Sequence, residues 1–197
     1  MKGGKNIGWL ILAAILIIFG VWGCSSYNGV VKLDESVNKS LNNVNAEYQR
    51  RLDLVDNLVN TVKGAANFEK ETLTQLTEAR ARAGSINLTA DQLTPENIAK
   101  FQAAQQQMTG ALNRLLVTVE AYPDLKANAN FLKLQGQLEG IENDIRNARM
   151  NFNNAINSYN TKVRSFPMNL LAGMFGFSTK EGFKAEEGAE KAPKVQF

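Results

Sequence analysis

Residues 131–166 read FLKLQGQLEGIENDIRNARMNFNNAINSYNTKVRSF. Apolar side chains recur at Phe131, Leu134, Leu138, Ile141, Ile145, Ala148, Phe152, Ala155, Tyr159, Val163 and Phe166. Steps of three and four alternate almost without fault, which describes one face of an α-helix sustained for about ten turns. Pro167 closes the element, because a proline disfavours helical backbone at the residue before it. An apolar face of this length has to be covered, and the natural cover is other helices.

Working outward from this stretch, the rest of the chain has the same periodicity. Val30, Leu33, Val37, Leu41, Val44, Tyr48, Leu52, Val55, Val59 and Val62 form one stripe, ending near Gly64. Asn67 is placed to cap a shorter helix with Phe68, Leu73, Leu76, Ala79 and Ala83 inward. Residues 84–93 (GSINLTADQL) read as a loop. Thr94-Pro95-Glu96 then starts a third helix, with a capping hydroxyl, a proline at the first helical position and an acid in the first turn. Its stripe is Ile98, Phe101, Ala104, Met108, Leu112, Leu115, Val119 and Tyr122, and Pro123 ends it. No convincing stretch alternates with period two. The predicted fold is all-α: an antiparallel four-helix bundle with long first and last helices, preceded by an N-terminal membrane segment.

That segment is the uncharged gap between Lys5 and Lys32, centred on IGWLILAAILIIFGVWG at residues 7–23. At 1.5 Å per residue this run makes about 26 Å of helix, close to the roughly 30 Å hydrocarbon core of a bilayer. Lys2, Lys5 and the amino terminus place the N-terminal side in the cytoplasm and the remainder outside it. Cys24, the single cysteine, follows the run in VWGCSS and resembles a bacterial lipobox. Gly23 fits the position before a cleaved and lipidated cysteine, whereas Trp22 is larger than the residue usual there. Residues 1–26 therefore read either as a spanning helix or as a lipoprotein signal peptide with Cys24 as lipidation candidate. The first reading has the N-terminus cytoplasmic and the bundle extracytoplasmic, and Tyr27-Asn28-Gly29 offers a joint between the two.

Composition excludes much chemistry. The chain has no histidine and one cysteine, so Ser-His-Asp catalysis, HExxH zinc sites and a disulfide framework are all ruled out. The 22 basic and 19 acidic residues nearly balance, and two of the basic ones, Lys2 and Lys5, lie before the apolar run. Nucleic-acid binding finds no support in that balance. Arg50, Arg51, Asp53, Asp56 and Lys63 cluster on the first helix, as a solvated face or as a polar layer that fixes register or meets a partner's charge. Arg80, Arg82, Arg146 and Arg149 could face Glu69, Glu71, Glu78, Glu139, Glu142 or Asp144 across the bundle. Glu139 and Glu142 lie one turn apart, but di-metal bundles use Glu-x-x-His pairs and this chain has none. No cofactor, metal or enzymatic activity is expected. The asparagines of the last helix (Asn143, Asn147, Asn151, Asn153, Asn154, Asn157, Asn160) make a neutral face, suited to solvent, a protein partner or a glycan. After Pro167, MNLLAGMFGF (168–177) reads as a cap over the bundle end or as a patch for membrane or partner, and the charged tail beyond it as disordered.

Several stretches together resemble the LemA family. They are YNGVVKLDE (27–35), YQRRLDLVDNLVNTVKG (48–64), EKETL (69–73), TEARARA (77–83), EAYPDLKAN (120–128), FLKLQ (131–135), YNT (159–161) and RSFP (164–167). The resemblance runs from about Tyr27 to Phe177. It implies a bacterial envelope protein with an N-terminal membrane segment and a helical bundle, and no defined biochemical activity. Val55-Asp56 stands where the family often has Ile-Pro, and Asn67-Phe68 where a histidine-containing pair is common, so no histidine chemistry carries over.

The expectation is three regions: an anchor at 1–26, a helical bundle at 27–167, and an apolar segment with a charged tail at 168–197. The protein would be an interaction or scaffold module at a bacterial cell membrane or outer membrane. It would hold membrane lipid through its N-terminus and a protein partner of unspecified identity. Two alternatives stand beside this: an envelope enzyme or its accessory subunit, and a self-assembling structural protein, with homo-oligomers along the helical stripes.

Overall fold

A computed structural model describes residues 3–64 and 68–184. It is all-helical, with no strand among the described residues. Helix α1 spans Gly3–Lys63, α2 Lys70–Gly84, α3 Pro95–Val119, α4 Pro123–Lys126, α5 Ala129–Arg164 and α6 Met168–Leu171. A single 3₁₀ turn, Ala90–Gln92, interrupts the loop between α2 and α3.

Helix α1 runs for 61 residues without a break, about 90 Å. No proline lies in it, and Tyr27-Asn28-Gly29 stays helical. One glycine costs only about 1 kcal/mol in a helix, and neighbouring Val30 is fully buried, so packing holds the chain straight where the sequence offered a joint. Its N-terminal part is exposed from Trp9 to Ile18, and it is long and apolar enough to cross a membrane.

The described helices pack mainly as two pairs. Helix α5 runs antiparallel to α1, with Lys162 near Gly29, Asp144 at 3.4 Å from Arg50 and Glu142 at 3.0 Å from Arg51. Helices α2 and α3 run antiparallel to each other, joined by Gln75 with Arg114 and by Arg82 with Gln107. The pairs meet on α1 between Asn45 and Asp56. There Asn45 donates to the Leu88 carbonyl at 2.9 Å, the Tyr48 and Phe101 rings meet edge-on at 5.0 Å, and Arg80 pairs with Asp56. In and just past this zone α1 buries Leu54 and Leu58 beside the expected stripe, because it is covered on two sides.

The helix ends follow local chemistry. Thr94 Oγ1 accepts from the Asn97 amide at 3.3 Å, with Pro95 in the first turn. Asn128 Oδ1 accepts from the Asn130 and Phe131 amides and caps α5. The expected cap at Asn67 lies outside the described residues; Glu69 immediately precedes α2 and makes no side-chain cap. Pro123 opens the short α4, since α3 already ends at Val119. Phe166 departs from the stripe that was read through it and is 80% exposed. The helix stops at Arg164, Ser165 is extended, and helical spacing no longer governs the side chains that follow.

Fully buried Phe152 belongs to the core that joins the helices. Phe152→Ala should cost about 3–5 kcal/mol in denaturant unfolding. Phe166→Ala should change the midpoint by no more than about 0.5 kcal/mol, although the two residues share one stripe in sequence.

Candidate functional site

Of the five charged residues expected to form a polar layer, only Arg51 is buried, at 2% exposure. Its Nη1 donates to Thr109 Oγ1 at 3.2 Å and to Glu142 Oε1 at 3.0 Å, its Nη2 donates to Gln105 Oε1, and its guanidinium lies 5.0 Å from the Tyr48 ring centre. Gln105 is also buried, and Thr109 donates onward to the Gln105 carbonyl. One side chain thus ties α1 to α3 and α5, beside a cavity of ≈ 120 Å³. Taking a guanidinium out of water costs several kcal/mol unless charge and donors are answered, and here Glu142 supplies the charge. The arrangement fixes the axial position of three helices, with the buried guanidinium balanced by a half-buried carboxylate.

The other four residues lie elsewhere. Arg50 is exposed and bridges Glu47 and Asp144, Asp53 accepts from Gln49, and Asp56 pairs with Arg80. Lys63 is exposed in the last turn of α1. Arg50, Asp53 and Asp56 make separate surface contacts, each contributing up to about 1 kcal/mol, and not one layer with Arg51. Of the remaining arginines, Arg82 reaches Gln107, Arg146 reaches Asn143 on its own helix, and Arg149 has the Lys184 carbonyl among its partners. Glu142 is occupied by Arg51 while Glu139 is exposed. Among the described residues no group of three or more acids and cysteine is placed to hold a metal.

A second constellation went unforeseen. Residues 178–184, read from sequence as part of a disordered tail, lie extended along α5; the tail beyond 184 is outside the described residues. Asn160 accepts from the Lys180 amide at 2.9 Å and donates to its carbonyl at 2.8 Å; Asn153 does the same for Phe183 at 2.8 and 2.9 Å. Seven helical residues rise about 10.5 Å, and three extended residues advance about 10 Å, so the two asparagines match alternate sections of the strap. Each side-chain amide behaves as a peptide group would in a sheet. Phe183 is buried against Phe101 and Phe152, with ring centres 6.0 and 5.2 Å away, under the Arg149 guanidinium. Lys180 pairs with Asp34 at 2.7 Å and lies over Tyr159. Burial, with the Asp34 carboxylate adding to it, holds the Tyr159 hydroxyl above its ordinary pKa, so it stays neutral. The signal in the sequence was the pair Asn153 and Asn160 two turns apart, with a Gly-Phe in the tail.

Gly182 has a steric reason. A Cβ there would come 2.6 Å from Asn153 Oδ1, the atom that already accepts from Phe183. Cys24 lies exposed on α1.

A family model described as LemA family matches residues 40–197. Protein LemA of Metamycoplasma hominis is 26% identical over 160 residues, covering 81% of this chain and 69% of that protein. Magnetosome protein MamQ 2 of Paramagnetospirillum magneticum is 25% identical over 181 residues, covering 83% of this chain and 66% of that protein. Magnetosome protein MamQ of Magnetospirillum gryphiswaldense is 26% identical over 199 residues, covering 92% and 73%. The chain thus spans from 66% to 73% of the length of these relatives.

Arg51→Ala should cost about 2–4 kcal/mol in urea unfolding, because it leaves Gln105 and Glu142 without their donor, whereas Arg50→Ala should cost less than about 1. Gly182→Ala should release the strap, read as faster tryptic cleavage after Lys180 together with a loss of about 1–3 kcal/mol in urea unfolding as the Phe183 ring leaves the core.

Proposed function

The chain belongs to the LemA family, and from that premise we propose that it is a membrane-anchored scaffold of a bacterial envelope, displaying its packed helices outside the cytoplasm. The observation that carries this reading is the continuity of α1. One unbroken helix passes from exposed apolar side chains at Trp9–Ile18 to the fully buried Val30 and Val37. A rigid joint of this kind transmits position and orientation from bilayer to domain, which a flexible tether does not. Confinement to a surface raises the effective concentration of partners held at the same surface.

The same continuity favours a spanning helix over a lipidated Cys24. Cleavage before Cys24 would leave the anchor to acyl chains, and α1 would begin only six residues before buried Val30. Lys2 and Lys5 on the N-terminal side support a cytoplasmic N-terminus. The relatives' names supply no reaction, and the Arg51–Glu142 pair presents neutralised groups suited to holding helices together.

The intact mass of the membrane-extracted full chain tests the anchor. An unprocessed chain of 21.7 kDa is the expected result, and a species starting at Cys24 with added acyl mass would overturn the spanning reading. Protease added to spheroplasts should cleave the helical domain, and full protection in intact spheroplasts with cleavage after lysis would overturn the orientation.

A further inference from the structure

We propose that the turn formed by residues 166–177 is a second membrane contact, an apolar foot that lies in the same bilayer interface from which α1 emerges. This rests on the anchored reading above. The segment between Arg164 and Lys180 carries no charge, just as the gap between Lys5 and Lys32 does. It is also split in how it packs. Met168 and Ala172 are buried and Leu171 and Phe177 half-buried, so one side is held against the helices. The other side presents Phe166, Leu170 at 66% and Met174 at 82% exposure, with Phe175 also exposed. The turn is closed, with the Phe177 amide donating to the Ala172 carbonyl at 2.9 Å and Gly176 at φ +78. A segment that needed only to cap the helices would place these four large side chains inward.

Its position says what covers it. The Tyr27 ring meets Phe175 and Phe177, both with centres 5.4 Å away. Tyr27 stands four residues past Gly23, about 6 Å along α1 from the end of the apolar run. A bilayer of about 30 Å hydrocarbon and 40–45 Å overall leaves an interfacial layer of roughly that depth on each side. Tyr27 therefore falls at headgroup level, where aromatic side chains concentrate in membrane proteins. The foot is fixed to it by ring contacts, at the same height. Apolar side chains at that boundary enter lipid by about 5–10 Å. Two attachments, one through the bilayer and one on its surface, hold a helical rod against tilt and rotation as a single span cannot.

The test uses the full chain, carrying Cys24→Ser and one spin label at a time, in vesicles of phosphatidylcholine and phosphatidylglycerol. Labels go at Leu170→Cys and Met174→Cys in the foot, with Leu12→Cys in the apolar run and Val117→Cys on α3 as references. All four native side chains are exposed, so labels there leave the packing intact. The readout is the ratio of collisions with oxygen, which concentrates in lipid, to collisions with a water-soluble nickel chelate. The expected result is a ratio at 170 and 174 several-fold above that at 117. A ratio at the foot equal to that at 117, with 12 in lipid, overturns the foot and leaves the anchor standing. A watery ratio at 12 overturns the anchor, and the foot with it. Low collision rates with both reagents at 170 and 174 overturn the foot in favour of a second copy of the chain covering it.

Discussion

The antiparallel seam between α1 and α5 is the constraint on which the other elements depend. Val30, Val37, Leu41 and Val44 on one side and Ile145, Phe152, Tyr159 and Val163 on the other are all buried. The seam fixes the distance along α1 from the exposed apolar run to the packed domain, because both are turns of the same helix. It also fixes where α5 ends, and so brings the 166–177 turn to the level of Tyr27. If α1 bent at Gly29, neither the height of that turn nor the orientation of the domain would be determined by the anchor.

Within that frame, polar groups differ in weight according to burial. Arg50 and Arg51 are neighbours in sequence with the same side chain, yet one is exposed and bridges two acids at the surface while the other joins three helices from inside. Exposed pairs lose most of their attraction to solvent and to the entropy of holding long side chains in place. A buried guanidinium has no solvent to fall back on, so its hydrogen bonds to Gln105, Thr109 and Glu142 specify one arrangement of the helices over close alternatives. The strap on α5 follows the same logic with neutral groups. Asn153 and Asn160 satisfy the backbone of Lys180 and Phe183, which makes burial of the Phe183 ring compatible with an extended chain.

The four longer helices, their order and most of their inward faces were legible in the sequence, because a period of 3.6 residues is a local property that apolar spacing records directly; the single-turn α4 and α6 were not. The caps at Thr94 and Pro95 were legible for the same reason, as was the family, from ordered short stretches. Phe166 was misread where the helix had already ended, and Leu54 and Leu58 were missed because a second covering pair of helices widens the buried face. Helix propensity could not show whether Gly29 bends, since that outcome depends on whether Val30 and Tyr27 find partners.

What the sequence by itself determined is a chain of amphipathic helices behind one uncharged apolar run, without the residues for histidine chemistry or a cysteine-based metal cluster. What only the tertiary structure decided is which members of repeated sets act: Arg51 among the charged residues of α1, Asn153 and Asn160 among the asparagines of α5, and Phe183 in a tail of ordinary composition. The physical reason is that burial and distance between elements are set by the whole fold. Residues of one type at equivalent local positions look alike until packing removes water from some of them and not from others.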